Sequence, residues 1–181
     1  EIVTEIKKKL VAARDAGVDR SKVQTEITDL QKQLKATASS AVFNGENWLD
    51  TNSDATENPG YNANRSVVGS FSRAGGVVTI DKIDIDISKL HLFDSNTTNA
   101  PTGIGGNGLF DGTLTGVTAV TAGTGIRNRV DGTQTAVSVF SFDISAVSNN
   151  ATDLQQLENL TAAVDGVLNR LTDSISYLGS I

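Results

Sequence analysis

Apolar residues recur every three or four positions at both ends of this chain and every second position in its middle, which predicts helices outside and strands between. Ile2, Ile6, Leu10 and Ala13 fall on one face of a first amphipathic helix over residues 1–15, with Lys7, Lys8 and Lys9 mostly off it. Ala16-Gly17 is expected to end that helix, Gly17 taking the left-handed position past its last turn. A second helix follows, capped by Asp19 or Ser21, with a stripe of Val23, Ile27, Leu30, Leu34 and Ala41 that Asn44-Gly45 stops. At the other end Leu157, Leu160, Val164, Val167, Leu171 and Leu178 follow alternate steps of three and four, with Ser174 the one polar residue in the seam. Leu154, Leu168 and Ile175 widen this stripe, so the third helix is expected to dock on the first two along its whole length.

Between the helices the period drops to two. SVVGSFSR (66–73), VVTIDKIDIDI (77–87), LHLF (90–93), TLTGVTAVT (113–121) and TAVSVFSFDI (135–144) all read as strands, and Arg73 to Gly76 as the hairpin turn joining the first two. The stretch from Ser95 to Gly132 is poor in charge and holds nine of the 17 glycines, which sets it apart as a small β insertion. The fold expected is α+β: a helical core with β-hairpins from residues 1–94 and 135–181, packed as a bundle, and a β-rich insertion over 95–134. EIVTEIKKKL is in helical register from its second residue with no capping residue before it, and LGSI follows directly on a helical repeat, so this sequence is expected to be part of a longer one.

Composition removes several functions. With 15 Lys and Arg against 21 Asp and Glu, the chain lacks the dense basic surface that phosphate neutralisation requires, and nucleic acid is not an expected partner. No run of about 18 apolar residues is present, so no membrane insertion is expected. Cysteine is absent, which removes disulfides, thiolate metal sites and cysteine nucleophiles together. His91 is the one histidine, and its alternation with Leu90 and Leu92 reads as an ordinary strand position. No catalytic residue, cofactor site or metal site is expected, and an enzyme is the weakest reading.

The remaining candidates have plain alternatives. GIGGNG (103–108) lacks the preceding strand, following helix and Lys-Ser/Thr pair of a phosphate cradle. GGNGLFDG (105–112) is a single imperfect copy of a calcium-binding β-roll repeat, which needs stacked copies, and reads as a loop. Asp81, Asp84 and Asp86 alternate with Ile83, Ile85 and Ile87 as the solvent side of a half-buried strand. Asn44, Gly45, Glu46, Asn47 and Trp48 form a tight turn carrying the one tryptophan; it either seals the open end of the helix pair or contacts another subunit.

VAARDAG (11–17), QTEIT (24–28) and FNGENWL (43–49) resemble the N-terminal core helices and first β-hairpin of bacterial flagellins, and VDGVLNRLTDSISYLGSI (164–181) is similar to the start of their C-terminal core helix. GENWL and VVGSF look like the alphaproteobacterial branch.

The resemblance implies an extracellular filament subunit for swimming motility, its 95–134 insertion variable and facing outward, exported without a cleaved signal, whose terminal coiled-coil segments drive polymerisation and lie outside these residues. Its partners would be other flagellin subunits, an export chaperone, and junction or cap proteins. Subunit contacts are expected at Asn44, Gly45, Glu46, Asn47 and Trp48 and on the exposed faces of residues 1–15, 19–42 and 157–178. Innate immune receptors read the first core helices of recognised members; Leu10 and Glu26 match that pattern, but Ile6 stands where those members carry an arginine, which implies weak or absent binding. The alternative is a hook-filament junction protein or a ligand-binding cell-surface homologue. FNGENWL argues against the first, and the shortage of aromatics in the insertion, with Phe110 alone, against the second.

Overall fold

The computed structural model describes residues 1–43, 45–74, 76–96, 107–114, 116–117, 125–130 and 137–180. Its architecture is mixed α and β, with three α-helices and four small two-stranded sheets among the described residues. Helix α1 (Ile2–Ala12) packs against both α2 (Arg20–Ser40) and α3 (Ala151–Gly179).

Local chemistry sets the helix starts. The Asp19 carboxylate accepts from the backbone N–H of Ser21 at 3.1 Å and of Lys22 at 3.3 Å, so Asp19 rather than Ser21 caps α2. Asn150 does the same for α3, accepting from the Asp153 N–H at 2.7 Å. The end of α1 departs from expectation. It stops at Ala12, and Gly17 is not among the positive-φ glycines. Buried Arg20 occupies the Ala13 carbonyl instead, donating from Nε at 2.9 Å, and reaches the Val147 carbonyl from Nη1 at 3.2 Å.

Val3, Ile6, Leu10 and Ala13 of the first segment meet Ile27, Leu34 and Ala38 of α2 and Leu157, Leu160, Val164 and Val167 of α3 in one core. Burying each large side chain contributes about 1.5–3 kcal/mol. The expected seam of α3 is sealed only over this first part. Leu171 packs at the margin, while Ile175 and Leu178 are 62% and 44% exposed, because the core ends before the last two turns of the helix.

The inner face of α2 is also not the expected apolar stripe. Gln24 and Gln31 are buried on it, and Val23 and Leu30 lie at its edge. Gln31 Nε2 donates to the Val139 carbonyl at 3.0 Å and the Phe142 carbonyl at 3.2 Å. Gln24 Oε1 accepts from the Ile144 N–H at 2.9 Å. These bonds satisfy a buried backbone that has few strand partners.

Hence residues 135–144 are not the strand their alternation predicts. Among the described residues only β8 (Phe142–Asp143) is extended, paired with β7 (Arg127–Asn128), and a turn held by Ser138 and Ser141 precedes it. Thr113 and Leu114 lie outside any strand, and most of the segment expected to follow them lies outside the described residues. Phe110, Leu114 and Ile126, all from the stretch expected to form the insertion, are buried in the same core. Phe93 meets Phe110 and Phe140 edge-on at centroid distances of 5.8 and 5.4 Å.

The predicted hairpin is present. β4 (Asn64–Ala74) and β5 (Val77–Asp86) pair antiparallel from Asn64↔Asp86 to Ala74↔Val77, with a bulge at Gly69. Gly76 turns with φ of +83°, which glycine adopts without strain, while Gly75 lies outside the described residues. The ribbon is not half-buried as expected. Ile83 is 40% exposed, and burial increases toward the base, where Ile85 is half-buried and Ile87 enclosed, because no third element among the described residues covers either face above that. Asp84 and Asp86 share a face of β5, whereas Asp81 points to the other and accepts from Ser70 Oγ at 2.9 Å.

LHLF is a second correction. Ile87–Lys89 form a 3-10 turn, and the strand begins at β6 (Phe93–Asp94), which lies parallel to β3 (Asp50–Thr51). His91 is therefore buried in a bend, not in a strand.

Candidate functional site

The turn after α2 is the most distinctive surface feature near the helices. β1 (Val42–Phe43) pairs with β2 (Glu46–Asn47), and Gly45 takes φ of +83° at the tip; Asn44 lies outside the described residues. Asn47 builds the junction. Its Nδ2 donates to the Ala38 carbonyl at 2.8 Å and the Ser39 carbonyl at 3.1 Å, closing the last turn of α2, while its Oδ1 accepts from the Leu49 and Asp50 N–H groups at 2.9 and 3.0 Å. Asp50 in turn accepts from Lys35 Nζ at 2.7 Å and from Ser39 Oγ.

With that frame fixed, the outer side of the turn is apolar. Phe43 and Trp48 tilt against each other with ring centroids 4.9 Å apart, beside Val42, and Phe43 remains 52% exposed. Glu46 closes one edge, accepting from Trp48 Nε1 at 3.3 Å and pairing with Arg65 Nε at 2.9 Å. The turn thus seals the helix end through Asn47 and also presents an aromatic pair to solvent through Phe43 and Trp48.

The first core helices place their named residues differently. Ile6 and Leu10 are fully buried against α2 and α3, and only Glu26 reaches the surface, where it pairs with Lys9 Nζ at 2.6 Å. The exposed apolar residues of α1 and α3 are Val11, Ile175 and Leu178.

Polar groups elsewhere are structural. His91 Nε2 lies 3.2 Å from the Tyr61 hydroxyl and its Nδ1 is 3.7 Å from Asp94 Oδ2, and burial holds its pKa below the ordinary histidine value. Asp94 accepts from the N–H and hydroxyl of Ser53 at 2.8 and 2.6 Å. Asp111, in the former β-roll candidate, accepts from the Asp94 N–H at 2.9 Å, and burial pushes its pKa up to about 6. Gly108 of that segment is needed for close approach: a Cβ there would lie 2.6 Å from the Leu92 carbonyl oxygen and 2.7 Å from Phe93 Cα. Among the described residues no three His, Cys, Asp or Glu side chains group as a metal site, and no helix is long and apolar enough to cross a membrane.

Comparison with known proteins fits this arrangement. Residues 1–54, which contain α1, α2 and the whole Asn47 junction, match the bacterial flagellin N-terminal helical region. Flagellin C of Rhizobium meliloti (strain 1021) is 34% identical across an alignment of 190 positions that takes in 100% of this chain and 53% of the relative. Over its whole length the chain is similar to a bacterial flagellin, and its first 54 residues match the flagellin N-terminal region. Flagellin B of the same strain is 47% identical over 97 residues, 52% of this chain and 23% of its own length. The flagellin of Brucella melitensis biotype 1 is 34% identical over 86 residues, 47% of this chain and 27% of its own length. Rhizobium meliloti and Brucella melitensis are alphaproteobacteria, so the similarity runs to the branch that GENWL and VVGSF resemble. The chain spans about half the length of the first of them and about a quarter of the others.

Apolar residues left exposed around this frame were not legible beforehand. Phe43 and the hairpin residues Val68, Phe71, Val78 and Ile80 are all more than half exposed. The available signal was that the two hairpin strands carry apolar residues on both faces.

Proposed function

We propose that this protein is a structural subunit of the extracellular flagellar filament, polymerising for motility, with no catalytic role of its own. The observation that carries the reading is the match over residues 1–54 coinciding with an apolar-tipped turn that Asn47 holds rigidly to α2. A subunit whose patches meet different patches on the next copy builds an open helical polymer when the rotation between copies does not close. Phe43, Trp48 and the exposed end of α3 at Ile175 and Leu178 supply apolar surface for such contacts.

In this reading Gly45 and Asn44 shape the contact turn, Glu46 and Trp48 touch the neighbouring subunit, and Asn47 positions them. The three helices form the filament-building bundle. Residues 95–134 form the outward-facing segment, rooted by Phe110, Leu114 and Ile126. An export chaperone and cap or junction proteins are its transient partners. Binding by the animal flagellin receptor is weak or absent, in keeping with the burial of Ile6 and Leu10.

Filaments sheared from cells that express the gene and digested for mass spectrometry test the assignment. Peptides of this chain in the filament, together with shorter or absent filaments after gene disruption, are the expected result. Filaments of normal length that contain none of these peptides sink it.

A further inference from the structure

The β4–β5 ribbon is anchored only at its base. The Tyr177 hydroxyl accepts from the Asp86 N–H at 3.1 Å, Lys89 Nζ stands 4.6 Å from the Tyr177 ring centroid, and Arg65 pairs with Glu46. Above that base, two strands stand without a third, an arrangement of marginal stability in water unless another surface covers it. Cross-strand partners share a face. One face therefore carries Phe71 opposite Ile80, Val68 opposite Lys82, and Arg73 opposite Val78. Phe71 is 78% exposed, and Val68, Val78 and Ile80 are each more than half exposed. The result is an apolar patch flanked by two cations, Arg73 and Lys82, which form no ion pair among the described residues, with Asp84 beyond Lys82 on the same face toward the base.

A complementary surface lies on the same chain. Two adjoining cavities, about 460 and 350 Å³, run along the outer groove between α1 and α2 and share Glu5, Leu30 and Gln33. Ile2 and Leu30 give the groove an apolar floor. Its rim holds four carboxylates, Glu1, Glu5, Glu26 and Asp29, against two lysines, Lys8 and Lys9. Glu5 pairs with Lys8, Glu26 with Lys9 and Asp29 with Lys32, all on the exposed rim, so a cation from another surface competes with these lysines for the carboxylates.

We infer that the Val68–Phe71–Val78–Ile80 face of the hairpin seats in the α1–α2 groove of a second copy of this chain, with Arg73 and Lys82 against Glu26 and Asp29. This rests on the filament reading, for which it supplies a heterologous contact: hairpin to groove never uses the same patch twice, so it propagates as a helical polymer wherever the rotation between copies does not close a ring. Opposite charge at the rim fixes register, and the apolar face loses its contact with water.

Because the chain has no cysteine, the contact can be trapped directly. A Val78→Cys chain is mixed with a Gln33→Cys chain under mild oxidation. The mixed disulfide dimer should exceed that from a Val77→Cys chain, on the opposite hairpin face, by about tenfold, and Arg73→Glu with Lys82→Glu should lower it by a similar factor. Glu26→Lys with Asp29→Lys in the Gln33→Cys partner should restore it. Equal trapping by Val77→Cys, or a Val78→Cys homodimer as the main product, overturns the seat. Filament assembly by the unsubstituted protein is scored separately by electron microscopy. Filaments without trapping sink the seat alone, whereas trapped dimers from a protein that never elongates sink the filament reading and leave the seat.

Discussion

Asn47 and Ala38 lie nine residues apart, and the 2.8 Å bond from the Asn47 amide to the Ala38 carbonyl locks the aromatic turn onto the end of α2. The same side chain accepts from two N–H groups that have no strand partner at that point. Asn47→Ala should therefore cost about 1–3 kcal/mol, as expected when several partly buried backbone groups lose their partner at once. Urea unfolding measures it. A loss below about 0.5 kcal/mol, the range of ordinary surface substitutions, would show that water replaces the side chain without penalty.

Gln31 is fully buried and reaches two carbonyls of the segment before β8. Gln31→Leu keeps the volume but takes the donor from the Val139 carbonyl and leaves Phe142 only the longer bond from Gln24 Nε2, and should destabilise by about 1–3 kcal/mol. Faster amide exchange across residues 138–144 should accompany it. If stability holds and that segment stays protected, the glutamine is not what secures it.

Burial raises the Asp111 pKa to about 6 from an ordinary value of 3.8. In the window between those values the folded chain holds a proton that the unfolded chain has released, so this group's stabilisation is complete below about pH 4 and is lost as pH rises through 6. The loss is at most about 3 kcal/mol. Asp111→Asn should gain on the native chain steadily from pH 4 to 6, then hold constant. His91 acts in the opposite sense, since burial lowers its pKa and its protonation on acidification favours the unfolded chain. The difference between native and Asp111→Asn unfolding curves isolates the carboxyl; a flat difference would falsify its buried titration.

Gly108→Ala drives a Cβ to within 2.7 Å of the backbone at Leu92 and Phe93, atoms that cannot swing away. Overpacking of this kind costs about 1–3 kcal/mol. By contrast, Gly166→Ala meets open space within α3 and should be stabilising by about 0.5–1 kcal/mol. Thermal melts of the pair should move in opposite directions, and a stable Gly108→Ala chain would contradict the packing around Phe93.

The three helices, the asparagine-glycine turn and the long hairpin were all legible because each is specified by neighbours in sequence: a period near 3.6, capping by Asp19 and Asn150, or alternation closed by glycine. The family motif FNGENWL likewise marked a turn whose geometry Asn47 and Gly45 create locally. What the tertiary structure decided depended on distant partners. Alternation in residues 135–144 predicts a strand only if another backbone supplies its bonds, and here Gln24 and Gln31 of α2 supply several of them. Alternation in β5 signals a buried face only if something covers it, and above the hairpin base nothing among the described residues does. The apolar repeat of α3 runs on to Leu178, yet the core it serves ends near Leu171. Periodicity records which side chains share a face; whether that face meets a core, a side-chain amide or open solvent is set by the rest of the chain.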